Sequence, residues 1–161
     1  MRLITKLLPL ANIRVDLATD SKKQLFEQAG ELFEANSKLS KRAVIDSLIA
    51  REKLGSTGLG QGVAIPHGRI KKLNEATGAF FKLQPSIAFD SPDNMPVSLV
   101  FILLVPANAT DLHLEILGEL AEMFCDKSLR DQLLASHDTH ETFKLITQWA
   151  AHDADNRTTT L

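Results

Sequence analysis

The chain has 161 residues, 18 basic against 20 acidic side chains for a formal net charge of −2, and a composition 44% apolar and 24% charged. That length suits one compact domain with its own core, and the composition excludes the disordered, collagenous and disulfide-rich classes. A charge this close to balance supplies no field for non-specific binding to DNA or RNA, so nucleic acid is not an expected partner.

At the N-terminus, Arg2 and Lys6 flank Leu7-Leu8-Pro9-Leu10, which has neither the apolar length nor the small-residue cleavage site of a secretory signal. Ile13, Val15 and Leu17 then alternate with polar neighbours, the period of a half-buried strand. Ser21 followed by Gln24 has the form of a capping box, and Leu25, Phe26, Ala29, Leu32 and Phe33 recur at helical spacing to about Ala35. Ser40 caps a second predicted helix with the stripe Val44, Ile45, Leu48 and Ile49, which Gly55 stops. The stretch from Gly55 to Gly62 holds four of the eight glycines and is expected as a loop, leading into a short strand at Val63 to Pro66.

Further strands are expected at Thr77 to Leu83, Ser86 to Phe89 and Val97 to Val105. The last is apolar at nearly every position, as a strand buried on both faces is, and is about half the ~20 residues a membrane-spanning helix needs. Leu112, Ile116, Leu117, Leu120, Met123 and Phe124 trace a long helix, Leu129, Leu133 and Leu134 a shorter one, and Asp138 with Glu141 opens a last one carrying Phe143, Ile146 and Trp149. The single cysteine, Cys125, cannot form an internal disulfide and lies in an apolar run, so a buried, inert thiol in a reducing cytosol is expected. The fold class is therefore α/β: a single domain over 1–152, with one mixed sheet of about five strands flanked by helices, then a polar tail at 153–161 expected to be disordered.

Ile65-Pro66-His67-Gly68 places a histidine where a strand ends, with Pro66 keeping Ile65 extended and Gly68 letting the chain turn sharply. Histidine suits reversible phosphoryl capture, because its ordinary pKa of ~6.5 leaves a neutral, nucleophilic nitrogen near neutral pH. Phosphoryl transfer asks mainly for positioning and for donors aimed at the three oxygens. The amides of the glycine loop, Gly58 and Gly60 among them, and the hydroxyls of Ser56 and Thr57 form a candidate cradle. Arg51 either adds a fixed charge with forked donors or pairs with a carboxylate. His113 shares an inward helical face with Leu117, Leu120 and Phe124; it needs a partner, either a backbone carbonyl or the phosphoryl group and ring of His67. Leu59 and Ile65 are expected to form an apolar rim on which a donor protein docks.

Arg51-Glu52 followed by Gly55-Ser56-Thr57-Gly58-Leu59-Gly60-Gln61-Gly62-Val63-Ala64-Ile65-Pro66-His67-Gly68 resembles the active-site segment of the mannitol/fructose/nitrogen class of enzyme IIA. Phe89-Asp90-Ser91-Pro92-Asp93 and the run Pro96 to Pro106 resemble its nitrogen-type branch more than the sugar-permease branches. The resemblance covers roughly Leu3 to Trp149. It implies the mannitol/fructose-type enzyme IIA fold and a cytoplasmic bacterial phosphocarrier, with His67 as phospho-acceptor and His113 and Arg51 in support. The implied donor is an HPr-type phosphocarrier protein in a phosphoenolpyruvate-dependent relay. A regulatory output in nitrogen, potassium or carbon metabolism follows, through targets such as kinases or transporters, with no cofactor and a monomer or weak dimer as the expected state.

A nucleotide site fits poorly, because the loop contains no Gly-Lys-Ser/Thr and feeds a strand where the dinucleotide fingerprint feeds a helix. Metal is not expected either: a zinc site needs three or four ligands, and His67 with His113 supplies two. His137, His140 and His152 sit in polar surroundings and are assigned no chemistry. Two alternatives stay open: a phosphorylation-switched binding protein without onward transfer, and a fructose/mannitol-type enzyme IIA linked to a sugar permease.

Overall fold

A computed structural model describes the backbone of residues 3–109 and 111–159 and the side chains of 4–109 and 111–149. In chain order, α1 (Leu3–Leu7) and a 3-10 turn (Leu10–Asn12) lead into β1 (Ile13–Leu17), α2 (Lys22–Ser37) and α3 (Lys41–Lys53). Then come β2 (Gly58–Gly60), β3 (Val63–Ala64), β4 (His67–Ile70), β5 (Thr77–Ile87) and β6 (Val97–Pro106), followed by α4 (Asp111–Phe124), α5 (Lys127–Ala135) and α6 (Thr139–Thr159).

The apolar run 97–106 lies inside the sheet, as its composition requires. The order is β1-β5-β6-β3-β2, and β4 also pairs with β6. β5 runs antiparallel to β6, and both β3 and β4 run parallel to it. Alternate residues of β6 serve two cores: Phe101, Leu103 and Val105 pack with Ile4, Leu8, Phe124 and Ile146, whereas Val100, Ile102 and Leu104 pack with Leu25, Phe33, Val44 and Leu48. The period-2 pleat thus divides one strand between two helical layers: α2 and α3 cover one face, and α1, α4, α5 and α6 the other.

Ser21 and Ser40 cap α2 and α3 as expected, through Gln24 N (3.1 Å) and Ala43 N (3.2 Å). The reciprocal half of the capping box differs, because Gln24 Oε1 accepts from Asp20 N at 2.8 Å, one residue before the cap. The sheet has six strands. The expected strand 77–83 and the first half of that expected at 86–89 are joined in β5, which ends at Ile87, and the strand expected at Val63 to Pro66 is only Val63–Ala64. Three residues of the glycine loop are themselves a strand: β2 pairs antiparallel with β3 around Gln61 and Gly62, whose φ values of 58° and 79° suit a tight hairpin turn. Cys125 is exposed, against expectation, because α4 ends at Phe124 and the apolar stripe ends with it.

At the β1 side of the sheet Lys82 is buried, 3% exposed. Its ammonium donates to Leu134 O (3.1 Å) and Ser136 O and pairs with Asp16 Oδ1 (3.2 Å). His137 Nδ1 lies 2.7 Å from Asp16 Oδ2 and 3.3 Å from Lys82 Nζ; the shorter contact decides, so this nitrogen donates to the carboxylate. The backbone of α6 continues to Thr159, and the side chains of the expected polar tail lie outside the described residues. No helix among the described residues is long and apolar enough to cross a membrane.

Candidate functional site

β3 and β4 lie in line along the same side of β6, interrupted at Ile65-Pro66, and Pro66 O still accepts from Leu103 N at 3.0 Å. His67 therefore opens β4, where the sequence suggested the end of a strand. Gly68 is extended within β4, and its lack of a side chain serves contact with α3. A Cβ there would lie 2.3 Å from Ser47 Oγ and 2.9 Å from Ser47 Cβ. One helical turn beyond Ser47, Arg51 reaches the histidine: its Nε donates to His67 Nε2 at 3.2 Å, and its Nη1 to Gly55 O at 2.8 Å.

These contacts fix the protonation pattern of His67. Nδ1 lies 2.9 Å from Ile65 O, and a carbonyl only accepts, so Nδ1 carries the proton and Nε2 the lone pair. Burial holds the pKa of His67 below its ordinary value, helped by the charges of Arg51 and Arg69 and opposed by the Ile65 carbonyl and Glu52. His67 is thus neutral at neutral pH.

His113, on the first turn of α4, brings its ring centroid to 5.2 Å from that of His67, with the ring planes inclined at 59°. Arg69 Nη2 lies 3.1 Å from His113 Nδ1, and its Nη1 donates to Ala107 O (3.2 Å) and Ala109 O. His113 Nε2 is buried without a hydrogen-bond partner, a condition worth ~1–3 kcal/mol of penalty. Burial also lowers the His113 pKa, with His67, Arg69 and Arg51 acting in the same direction.

The loop residues divide. Ser56, Thr57 and Gly58 line a cavity of about 310 Å³ together with Arg51, Leu59, Ile65 and His67, whereas Gly60 lies in the hairpin with its backbone against the Asp93 carboxylate. The two hydroxyl protons have internal acceptors: Ser56 Oγ donates to Phe89 O (2.6 Å) and Thr57 Oγ1 to Glu52 Oε1 (2.6 Å). Gly58 N donates to Ser56 Oγ at 3.0 Å. The segment is held by its own bonds, with Glu52 as anchor: its carboxylate also takes Thr57 N at 3.1 Å and pairs with Lys22 at 2.8 Å. Of the expected apolar rim, Leu59 is 46% exposed while Ile65 is buried and forms a wall of the cavity. Leu54, Leu112 and Leu114 add further exposed apolar surface on the segments that carry Arg51 and His113.

Arg69 and Glu52 carried no role in the sequence reading. Arg69 was within reach of it, since strand periodicity puts residue 69 on the same side as residue 67; Glu52 was not, because its partner Thr57 is set by the path of the loop. Among the described residues no three His, Cys, Asp or Glu side chains gather as a metal-holding group.

Residues 6–149 match the family described as phosphoenolpyruvate-dependent sugar phosphotransferase system, EIIA 2. The chain belongs to that family. Among enzyme IIA relatives, it is 40% identical over 136 residues to the nitrogen regulatory protein of Klebsiella oxytoca, covering 84% of each chain. It superposes on the crystal structure of nitrogen regulatory protein IIA-Ntr from Neisseria meningitidis with a TM-score of 0.85 and 53% identity, over 90% of this chain and 99% of that one. The crystal structure of IIA mannitol from Escherichia coli, at 22% identity and a TM-score of 0.73 over 85% of this chain and 96% of that one, shares the fold. Nitrogen-type relatives and the mannitol-type fold thus agree with the α/β architecture described above.

Proposed function

We propose that this chain is a phosphocarrier that takes a phosphoryl group on His67 Nε2. The observation that carries the reading is the state of that ring: Nδ1–H is held by Ile65 O, and the Nε2 lone pair faces Arg51 beside a second, neutral histidine. In the transfer, the Nε2 lone pair attacks phosphorus in line as the donor's P–N bond breaks, and the bonding pair returns to the donor's ring. No proton need leave His67, because Nδ1–H stays on its carbonyl throughout. The Nε–H of Arg51, which rests on Nε2 in the free protein, passes to a phosphoryl oxygen as the lone pair becomes a bond, and His113 contributes a second donor. Ser56, Thr57 and Gly58 shape the wall of the site through Glu52 and Phe89.

The donor is a histidine phosphocarrier protein of the HPr type, charged by an enzyme I that uses phosphoenolpyruvate. The exposed leucines around the cavity suit a protein partner, and the chemistry as written asks for neither metal nor nucleotide. The names of the nitrogen regulatory relatives favour a regulatory output in the cytoplasm, in which the added charge at the docking face selects between targets.

Intact-mass analysis after incubation with phosphoenolpyruvate, enzyme I and the phosphocarrier tests this. One acid-labile phosphoryl group is expected on the wild type and none on His67→Ala. An unmodified wild type with a donor shown to be charged would sink the reading.

A further inference from the structure

Arg69 stands two residues after His67 on β4 and holds the connection between β6 and α4 through the carbonyls of Ala107 and Ala109. Its guanidinium is a donor at every nitrogen and stays protonated in proteins. It nevertheless lies 3.1 Å from His113 Nδ1, which requires that nitrogen to carry the lone pair. In the neutral ring the proton then belongs to Nε2, the atom that is buried without a partner. An unpaired buried N–H is a standing cost, and a phosphoryl oxygen is the acceptor that would remove it. The other tautomer would present a lone pair from Nε2 and repel the same oxygen.

We propose that Arg69 is a positioning residue that locks His113 in the Nε2–H tautomer, so that His113 meets the phosphoryl group on His67 as a donor. The inference rests on the assignment of His67 as phosphoryl acceptor. Arg69 acts through two separate amines, one tethering the backbone before α4 and the other reading the ring. It needs no contact with the transferred group, and its effect appears in the proton position of His113 before any phosphoryl group arrives.

The test uses the full chain with nitrogen-15 in its histidine rings at mildly alkaline pH. Wild-type His113 is expected to show a protonated-type Nε2 shift and an unprotonated-type Nδ1 shift. In Arg69→Met the ratio of the Nε2–H to the Nδ1–H form is expected to fall about tenfold, the scale of one charge-assisted hydrogen bond. The phosphorylated protein should hydrolyse several-fold faster, because the phosphoryl group held on His67 loses one hydrogen bond that stabilises it, and Arg69→Lys should recover the wild-type ring shifts. Unchanged His113 shifts in Arg69→Met would overturn the proposal. So would a changed tautomer with an unchanged phosphohistidine lifetime, since the proton would then be irrelevant to the group. The tautomer is read on unphosphorylated protein, so failure of the wild type to accept phosphate would strike the carrier reading separately.

Discussion

Lys82 on β5 and His67 on β4 both set an ionisable side chain among backbone carbonyls, and they differ in what is left unpaired. The three ammonium protons of Lys82 meet three acceptors, Leu134 O, Ser136 O and Asp16 Oδ1, and the other oxygen of Asp16 takes His137. That network is closed, and its cation lies by the C-terminal carbonyls of α5, where the helix dipole favours positive charge. The histidine pair is open: one lone pair rests on an arginine that can release it, one N–H has no acceptor, and two guanidinium groups disfavour a proton on either ring. Closed polar networks hold a fold together, and open ones wait for a ligand.

Substitution should separate the two. Lys82→Met removes one partner of a buried pair and is expected to cost about 3 kcal/mol in denaturant titrations, with an unchanged phosphoryl transfer rate in the folded fraction. A slowed transfer would join the clusters that the comparison keeps apart. Arg51→Met should show the opposite profile, with transfer to His67 slowed about 100-fold in rapid-quench labelling and little change in the unfolding midpoint.

Acid sharpens the comparison further. Both site histidines have folded pKa values below their ordinary 6.5, so the unfolded chain binds protons first and stability falls as pH drops below 6.5. Denaturant midpoints should therefore decline across that range, and His67→Gln should flatten the decline. The Asp16 carboxyl is held below its ordinary 3.8 by the hydrogen bond from His137, with Lys82 acting in the same direction against desolvation. Its contribution is present above 3.8 and is lost only as pH falls below that value. The smallest effect is expected for Ser21→Ala, about 1 kcal/mol from the cap of α2, with both clusters and the transfer rate untouched.

The sequence was most legible where periodicity is repeated over many residues. The run 97–106, the stripes of α2 and α3 and the caps at Ser21 and Ser40 were all readable, because burial and hydrogen bonding there follow local spacing. The histidine pair was legible as residues, not as geometry. Nothing in the spacing of 46 positions between His67 and His113 says that the rings meet at 5.2 Å; the parallel pairing of β4 with β6 places them. Glycine misled twice. Gly58 and Gly60 suggested an irregular loop where a strand forms, and Gly68 suggested a turn where a helix packs, since a missing side chain serves bend and contact alike. Lys82 gave no warning of its burial, because its acceptors come from residues more than fifty positions away.

The contact of Gly68 with Ser47 has a mechanical meaning. Arg51 and His67 sit on two elements that approach most closely where the main chain of Gly68 meets the short side chain of Ser47. The two elements behave like the jaws of a caliper, and the gap they keep is the one that sets Arg51 Nε 3.2 Å from His67 Nε2. A single methyl group at position 68 would press on Ser47 and wedge the jaws apart, lengthening the contact between Arg51 and His67 while leaving both side chains intact.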